Sequence, residues 1–180
     1  MKTASILGQR KIESLQRLLA GVRDVPGAFA ECGVYRGGNL RLLAQDGRRV
    51  YGFDTFAGLP QSAWSADEHH QPGEFADISW DAIERSIAGC DNVLLVAGYF
   101  PESAEQLADE RFAFVHLDFD YYESTRAAIA WFLPRMSAGG AIVFDDYDWK
   151  HCPGVRKAIE EAGLAVQLTV PHQCVWWNHS

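Results

Sequence analysis

GAFAECGVYRGGN, residues 27–39, opens on a short apolar run and closes on glycines at 33, 37 and 38. That is the pattern of a buried strand ending in a tight turn that feeds a helix, because glycine lets the chain turn back and lets a ligand approach the backbone. Moving toward the N-terminus, Ile12, Leu15, Leu18, Leu19 and Val22 recur at helical spacing and predict an amphipathic helix over residues 9–22. Toward the C-terminus, short runs rich in Val, Phe, Ile and Leu stand at 49–53, 93–97, 112–117 and 141–144. With 28–32 they alternate with helical segments that start near Asn39, Ser79, Glu102, Ser124 and Pro153. Each crossover has the length that a parallel βαβ unit needs. The expected fold is a doubly wound, Rossmann-like α/β domain over residues 1–180, with residues 1–26 as its N-terminal helical part.

The fourth helix is expected to run from Ser124 to Met136, with Ala128, Ile129, Trp131 and Phe132 on one face and Pro134, Gly139 and Gly140 ending it. AVQLTV and QCVWW flank a short connection at Pro171 and His172, too close together for a parallel return, so they predict an antiparallel pair closing the sheet. The one long loop, residues 57–78, holds Trp64, His69, His70, Pro72 and Gly73. A loop of that length in a compact domain is a functional lid or a disordered segment.

The length of 180 residues suits one domain, and 48% hydrophobic with 22% charged residues describes a chain that buries a sizeable core. A net charge of −8 and a pI near 5.2, with no block of basic residues, argue against nucleic acid or an anionic membrane surface as partner. The start, MKTASILGQRKIES, lacks the apolar stretch of a secretory signal, and VLLVAGYF (Val93–Phe100) falls far short of the ~18 residues of a membrane helix. A cytoplasmic location is expected. Cys32, Cys90, Cys152 and Cys174 lie far apart and read as free thiols.

Glu31, Gly33 and Gly37 give E-x-G-x-x-x-G, which is neither the dinucleotide G-x-G-x-x-G nor a phosphate loop, and favours an adenosyl ligand over a pyrophosphate. A turn built only for packing would look similar. The second strand ends at Asp54, where α/β sheets often present a carboxylate to ribose hydroxyls; an aspartate there also caps a turn. The fourth strand emerges at Asp118 and Asp120, and the fifth at Asp145, Asp146 and Asp148. Neighbouring parallel strands bring Asp118, Asp145 and Asp146 toward one point, and gathered carboxylates select a hard cation such as Mg²⁺; acids pointing apart into solvent are the alternative. In DEHHQPGEF, His69 or His70 could accept a proton near such an ion, although loop histidines are commonly just solvated. His116 reads as a hydrogen-bonded core histidine, and Trp131 and Trp149 as packing residues.

Taken in order, GAFAECGVYRGGN, VYGFDTFAGLP, HLDFDYYEST and GGAIVFDDYDW resemble the macrocin O-methyltransferase family, over about residues 27–160. The resemblance implies a class I S-adenosylmethionine-dependent enzyme acting on sugar hydroxyls. It implies Glu31, Gly33 and Asp54 at the cofactor, where the reading of the glycine turn itself also places Gly37. It further implies Asp118, Asp145 and Asp146 at Mg²⁺, with Asp118 also counted as catalytic, and His70 rather than His69 as general base. The expected partner is a small hydroxylated acceptor, a sugar or glycosylated metabolite; a homo-oligomer is left open. The chain is shorter than the family's macrolide enzymes, so the reaction class carries over further than the acceptor. From the residues alone, two other readings stand beside methyl transfer: a metal-dependent hydrolase of a phosphate or other polar ester, and a non-catalytic nucleoside-binding module.

Overall fold

The computed structural model describes residues 8–66 and 68–180; what the sequence suggests for the stretch before Gly8 lies outside them. The elements run α1 (Gln9–Gly21), β1 (Ala28–Cys32), α2 (Gly38–Leu43), β2 (Val50–Asp54), α3 (Trp80–Ser86), β3 (Val93–Ala97), β4 (Phe112–Leu117), α4 (Tyr122–Phe132), β5 (Met136–Asp145), α5 (Pro153–Glu161), β6 (Gln167–Val170) and β7 (Gln173–Trp177). The seven strands form one sheet in the order β3-β2-β1-β4-β5-β7-β6. β1 to β5 are parallel, and β7 runs antiparallel to both β5 and β6. This is the expected doubly wound fold with its antiparallel end. The chain winds outward in opposite directions from β1 and β4, so the ligand crevice of such a sheet lies at their carboxyl ends.

β1 and β4 are buried along their whole length because helices cover both faces, which is why they read as continuous apolar runs rather than alternating ones. On one face Phe53, Phe112, Phe132 and Ile142 pack with Ile159 of α5. On the other, Phe29, Phe114 and Val143 pack with Leu15 and Val22 from the α1 region and Leu40 of α2. Trp131 packs against the rings of Phe100, Phe112 and Phe132, as its packing assignment expects.

Two boundaries differ from expectation. α4 stops at Phe132 and passes through a 3₁₀ turn, Leu133–Arg135, because Pro134 has no N–H to continue the α-helical ladder. β5 then begins at Met136, so Gly139 and Gly140 lie inside a strand rather than after a helix. They sit in a bulge: Phe112 and Phe114 of β4 pair with Met136 and Ala141, and a side chain at Gly140 would press on the carbonyls of Ser137 and Ala113 at 2.9 and 3.0 Å. The segment from Glu102 forms a 3₁₀ helix, Glu102–Leu107, instead of an α-helix. Ser79, by contrast, caps α3 through its side chain, which accepts from the Ala82 N–H at 3.2 Å.

Candidate functional site

A cavity of about 530 Å³ opens at the carboxyl ends of β1, β2, β4 and β5, within the size range of small-molecule sites. Among the described residues, six non-glycine positions have a left-handed φ, and five of them, Tyr35, Phe75, Asp120, Asp146 and His172, line this cavity. Strained backbone concentrated in one place is the mark of a site that the surrounding fold holds in shape.

On the β1–β2 side, Gly33 lines the cavity at φ +86°. A Cβ there would lie 2.0 Å from the Asp118 carbonyl oxygen, so the glycine is required by the close approach of the loop after β4. Asp54 lies at the rim. One of its oxygens accepts the N–H groups of Val34 and Tyr35 at 2.8 and 3.0 Å, and the other accepts Phe56 N–H at 2.8 Å. Asp54 thus caps its own turn and also secures the glycine turn of β1; these three bonds leave one acceptor position free, on the oxygen that takes the Phe56 N–H. Glu31 is buried and does not line the cavity; burial raises its pKa. Gly37 also stays outside the lining, packing instead against Ser86 and Ile83 near α3.

On the β4–β5 side, Asp118, Asp120 and Asp146 each offer a carboxylate oxygen, all within 4.8 Å of one another. Asp145, which the sequence reading places with Asp118 and Asp146, also lines the cavity beside this group. Its Oδ1 lies 2.6 Å from Lys11 Nζ, and its Oδ2 is buried without a hydrogen-bond partner. The sequence reading leaves Asp120 out of the converging acids, because the i, i+2 spacing of two acids beyond a strand does not reveal a left-handed backbone at the second. Crowding has the expected electrostatic effect. Burial, then the charges of Asp145 and Asp146, hold the Asp118 carboxyl well above the usual range, and burial followed by Asp146 pushes Asp120 up to about 7.

Lys11, whose chemistry the sequence reading leaves unused, reaches into this cluster from the first turns of α1. Its Nζ is 2.6 Å from Asp145 and 3.1 Å from Asp146. Burial disfavours its charge, but the two carboxylates more than offset that and hold its pKa above the ordinary lysine value. Behind Asp145, His116 is fully buried, with Nδ1 3.7 Å from Glu31 and Nε2 3.8 Å from Asp145. Those separations exceed hydrogen-bond length and both ring nitrogens lack hydrogen-bond partners, so the expected hydrogen-bonded core histidine is instead a buried ring held between two carboxylates.

The loop over the cavity is ordered by its own bonds. Leu59 N–H donates to the Glu74 carbonyl and Gly73 N–H to the Leu59 carbonyl, each at 2.9 Å, which draws the two ends together. The loop is fastened to the start of α4 by Tyr121, whose hydroxyl donates to the His70 carbonyl at 3.1 Å, and by Tyr122 N–H on Glu68 at 2.8 Å. His70 lines the cavity; Nδ1 lies 2.7 Å from Glu74 Oε2, and Nε2 is buried without a hydrogen-bond partner. His69 stays outside the lining, with its ring 4.1 Å from that of His151. Trp149, read from sequence as packing only, forms part of the cavity wall.

Comparison with known proteins bears on this arrangement. The model of the family described as Macrocin-O-methyltransferase (TylF) matches residues 2–179. A Streptomyces olivaceus protein, 8-demethyl-8-(2,3-dimethoxy-alpha-L-rhamnosyl)-tetracenomycin-C 4'-O-methyltransferase, is 30% identical over 98% of this chain and 76% of its own length. Mycinamicin III 3''-O-methyltransferase of Micromonospora griseorubida is 28% identical over 98% of this chain and 78% of its own. The solved structure of the O-methyltransferase NovP shares the fold with a TM-score of 0.83 at 23% identity, covering 98% of this chain and 82% of that one. No helix among the described residues is long and apolar enough to cross a membrane. A family match spanning nearly the whole sequence, on a fold whose carboxyl edge carries this acid-lined cavity, means that the chain belongs to the macrocin O-methyltransferase family and is an enzyme of the methyltransferase class.

Proposed function

We propose that the enzyme transfers the methyl group of S-adenosylmethionine to a hydroxyl of a sugar or related polyhydroxylated natural product, with Mg²⁺ at the acid cluster. The observation that carries this reading is a single cavity joining the glycine turn and Asp54 on one side to Asp118, Asp120, Asp145 and Asp146 on the other. The name of the Streptomyces olivaceus relative, which specifies 4'-O-methylation of a rhamnosyl-bearing compound, supports the acceptor class. It lends nothing to a hydrolase or a non-catalytic binding module.

The residues fit both groups. The β1 turn and Asp54 would border an adenosyl ligand, with the remaining acceptor position of Asp54 available to a ribose hydroxyl. Asp118, Asp145 and Asp146 would hold Mg²⁺, and Asp120 stands close enough to join them; all-carboxylate donors suit a hard ion, and the unpartnered Oδ2 of Asp145 is the kind of buried oxygen such an ion satisfies. When bound, Mg²⁺ supplies Lewis acidity that makes a hydroxyl easier to deprotonate. His70 would take the proton at Nε2, since the tautomer with Nδ1–H donating to Glu74 leaves that lone pair free. Phe75, Phe119 and Trp149 wall the site.

The test is transfer of labelled methyl from S-adenosylmethionine to a panel of glycosylated and free polyhydroxylated acceptors, with and without a chelator. Label on a sugar hydroxyl, lost on chelation and restored by Mg²⁺, is expected. Full activity in chelator sinks the metal assignment, and label found only on nitrogen, carbon or a non-sugar oxygen sinks the acceptor class. Asp118→Asn should abolish the response to added Mg²⁺.

A further inference from the structure

The cavity lining contains five aspartates, at 54, 118, 120, 145 and 146, and Lys11 is the one permanently charged cation among the described lining residues. Its ammonium does not sit at the edge of the acid cluster. It is ion-paired with two adjacent carboxylates, Asp145 and Asp146, that would bind a divalent ion. The lysine side chain is long and flexible, while the helix that carries it is fixed: Leu15 is fully buried, as is Val22 just beyond the helix end. The ammonium can therefore leave without undocking α1. A cation a few ångströms from a metal site, in a setting of low dielectric, disfavours the incoming charge whether or not it shares the same oxygens.

We infer that Lys11 is a tethered counter-ion that competes with the divalent cation for Asp145 and Asp146, so that metal entry requires its ammonium to leave those oxygens. It satisfies the acids when no ion is present and thereby sets how tightly the ion is held. This rests on the metal reading given above.

Calorimetric titration of the full chain with Mg²⁺, without cofactor or acceptor, tests it. Lys11→Met should bind Mg²⁺ at least about tenfold more tightly than the unmodified chain, whereas Lys11→Arg, which keeps the charge, should stay close to it. Thermal melts give an independent reading. Lys11→Met should melt lower than the unmodified chain in chelator, because Asp145 and Asp146 lose their cation, and gain more from added Mg²⁺. Lys11→Gln, which keeps a hydrogen-bond donor without the charge, carries the same test where the methionine variant does not fold. Equal or weaker Mg²⁺ affinity in the uncharged variants overturns the competition while leaving the metal site intact. Absence of Mg²⁺ binding in every form overturns the competition and the metal reading together.

Discussion

Asp54 and Asp146 are both aspartates at the carboxyl end of a parallel strand, on opposite sides of one cavity, and the chain treats them in opposite ways. Asp54 accepts three backbone N–H groups from two loops. Asp146 is met by a lysine from the far side of the sheet, by the neighbouring charge of Asp145 and by a distant thiol, Cys152 Sγ at 3.9 Å; burial, then Asp145, raises its pKa. Backbone donors fix a carboxylate's position and leave it a passive acceptor. Gathered carboxylates without such donors repel, and they hold together only with a cation among them. On the proposed reading, the β1–β2 side positions a ligand and the β4–β5 side acts on it.

The comparison breaks or sharpens most at His70, over the acting side. His70→Ala should lower turnover by about 10²- to 10⁴-fold with cofactor affinity nearly unchanged, whereas His69→Ala, in the same loop but outside the cavity lining, should cost little. Steady-state kinetics of both variants decides it, and equal losses end the assignment of His70 as base. Gly33→Ala comes next, because it strikes the joint between the two sides. Its Cβ would meet a backbone oxygen at 2.0 Å in a left-handed conformation, and a loss of about 3 to 5 kcal/mol in denaturant melts is expected. Gly73→Ala, also left-handed but facing open space, should cost only about 1 kcal/mol; equal costs at the two positions would show that strain, not the contact with Asp118, sets the requirement.

Asp54→Ala should weaken S-adenosylmethionine binding by about 1 to 3 kcal/mol, measured by calorimetry, since the turn loses its acceptor and the ligand loses a charged one. Asp54→Asn should recover only part of this, because its amide must face one of the N–H groups that now meet an oxygen. Unchanged affinity in a folded Asp54→Ala variant refutes the positioning role. The smallest effect belongs to Asp118→Asn read on the same scale: cofactor affinity within about twofold of the original, because its carboxylate serves the other side. A large loss there would merge the two sides into one.

Local pattern made most of the fold legible. Continuous apolar runs of five or six residues can be buried strands, and glycine at residues 33 and 37 can be a turn, because those preferences depend only on near neighbours in sequence. The end of α4 departs from the local pattern for a non-local reason. Pro134 and the Gly139–Gly140 pair look like one helix stop, but the glycines serve a bulge that β4 imposes from across the sheet. Within the site, acids at strand ends could be read as a cluster, yet which of them converge depends on the left-handed turns at Asp120 and Asp146.

By itself, then, the sequence determined the order of strands and helices, the antiparallel close and the presence of an acid-rich carboxyl edge, all properties of periodicity and residue type. Only the tertiary structure decided that Asp54 is tied down by two loops, that His116 stands between Glu31 and Asp145, and that Lys11 reaches two acids 134 and 135 residues further along the chain. An ammonium on the first turns of a helix looks like any solvated surface charge until the sheet folds beneath it, because no local preference records which distant carboxylates the packing will bring within its reach.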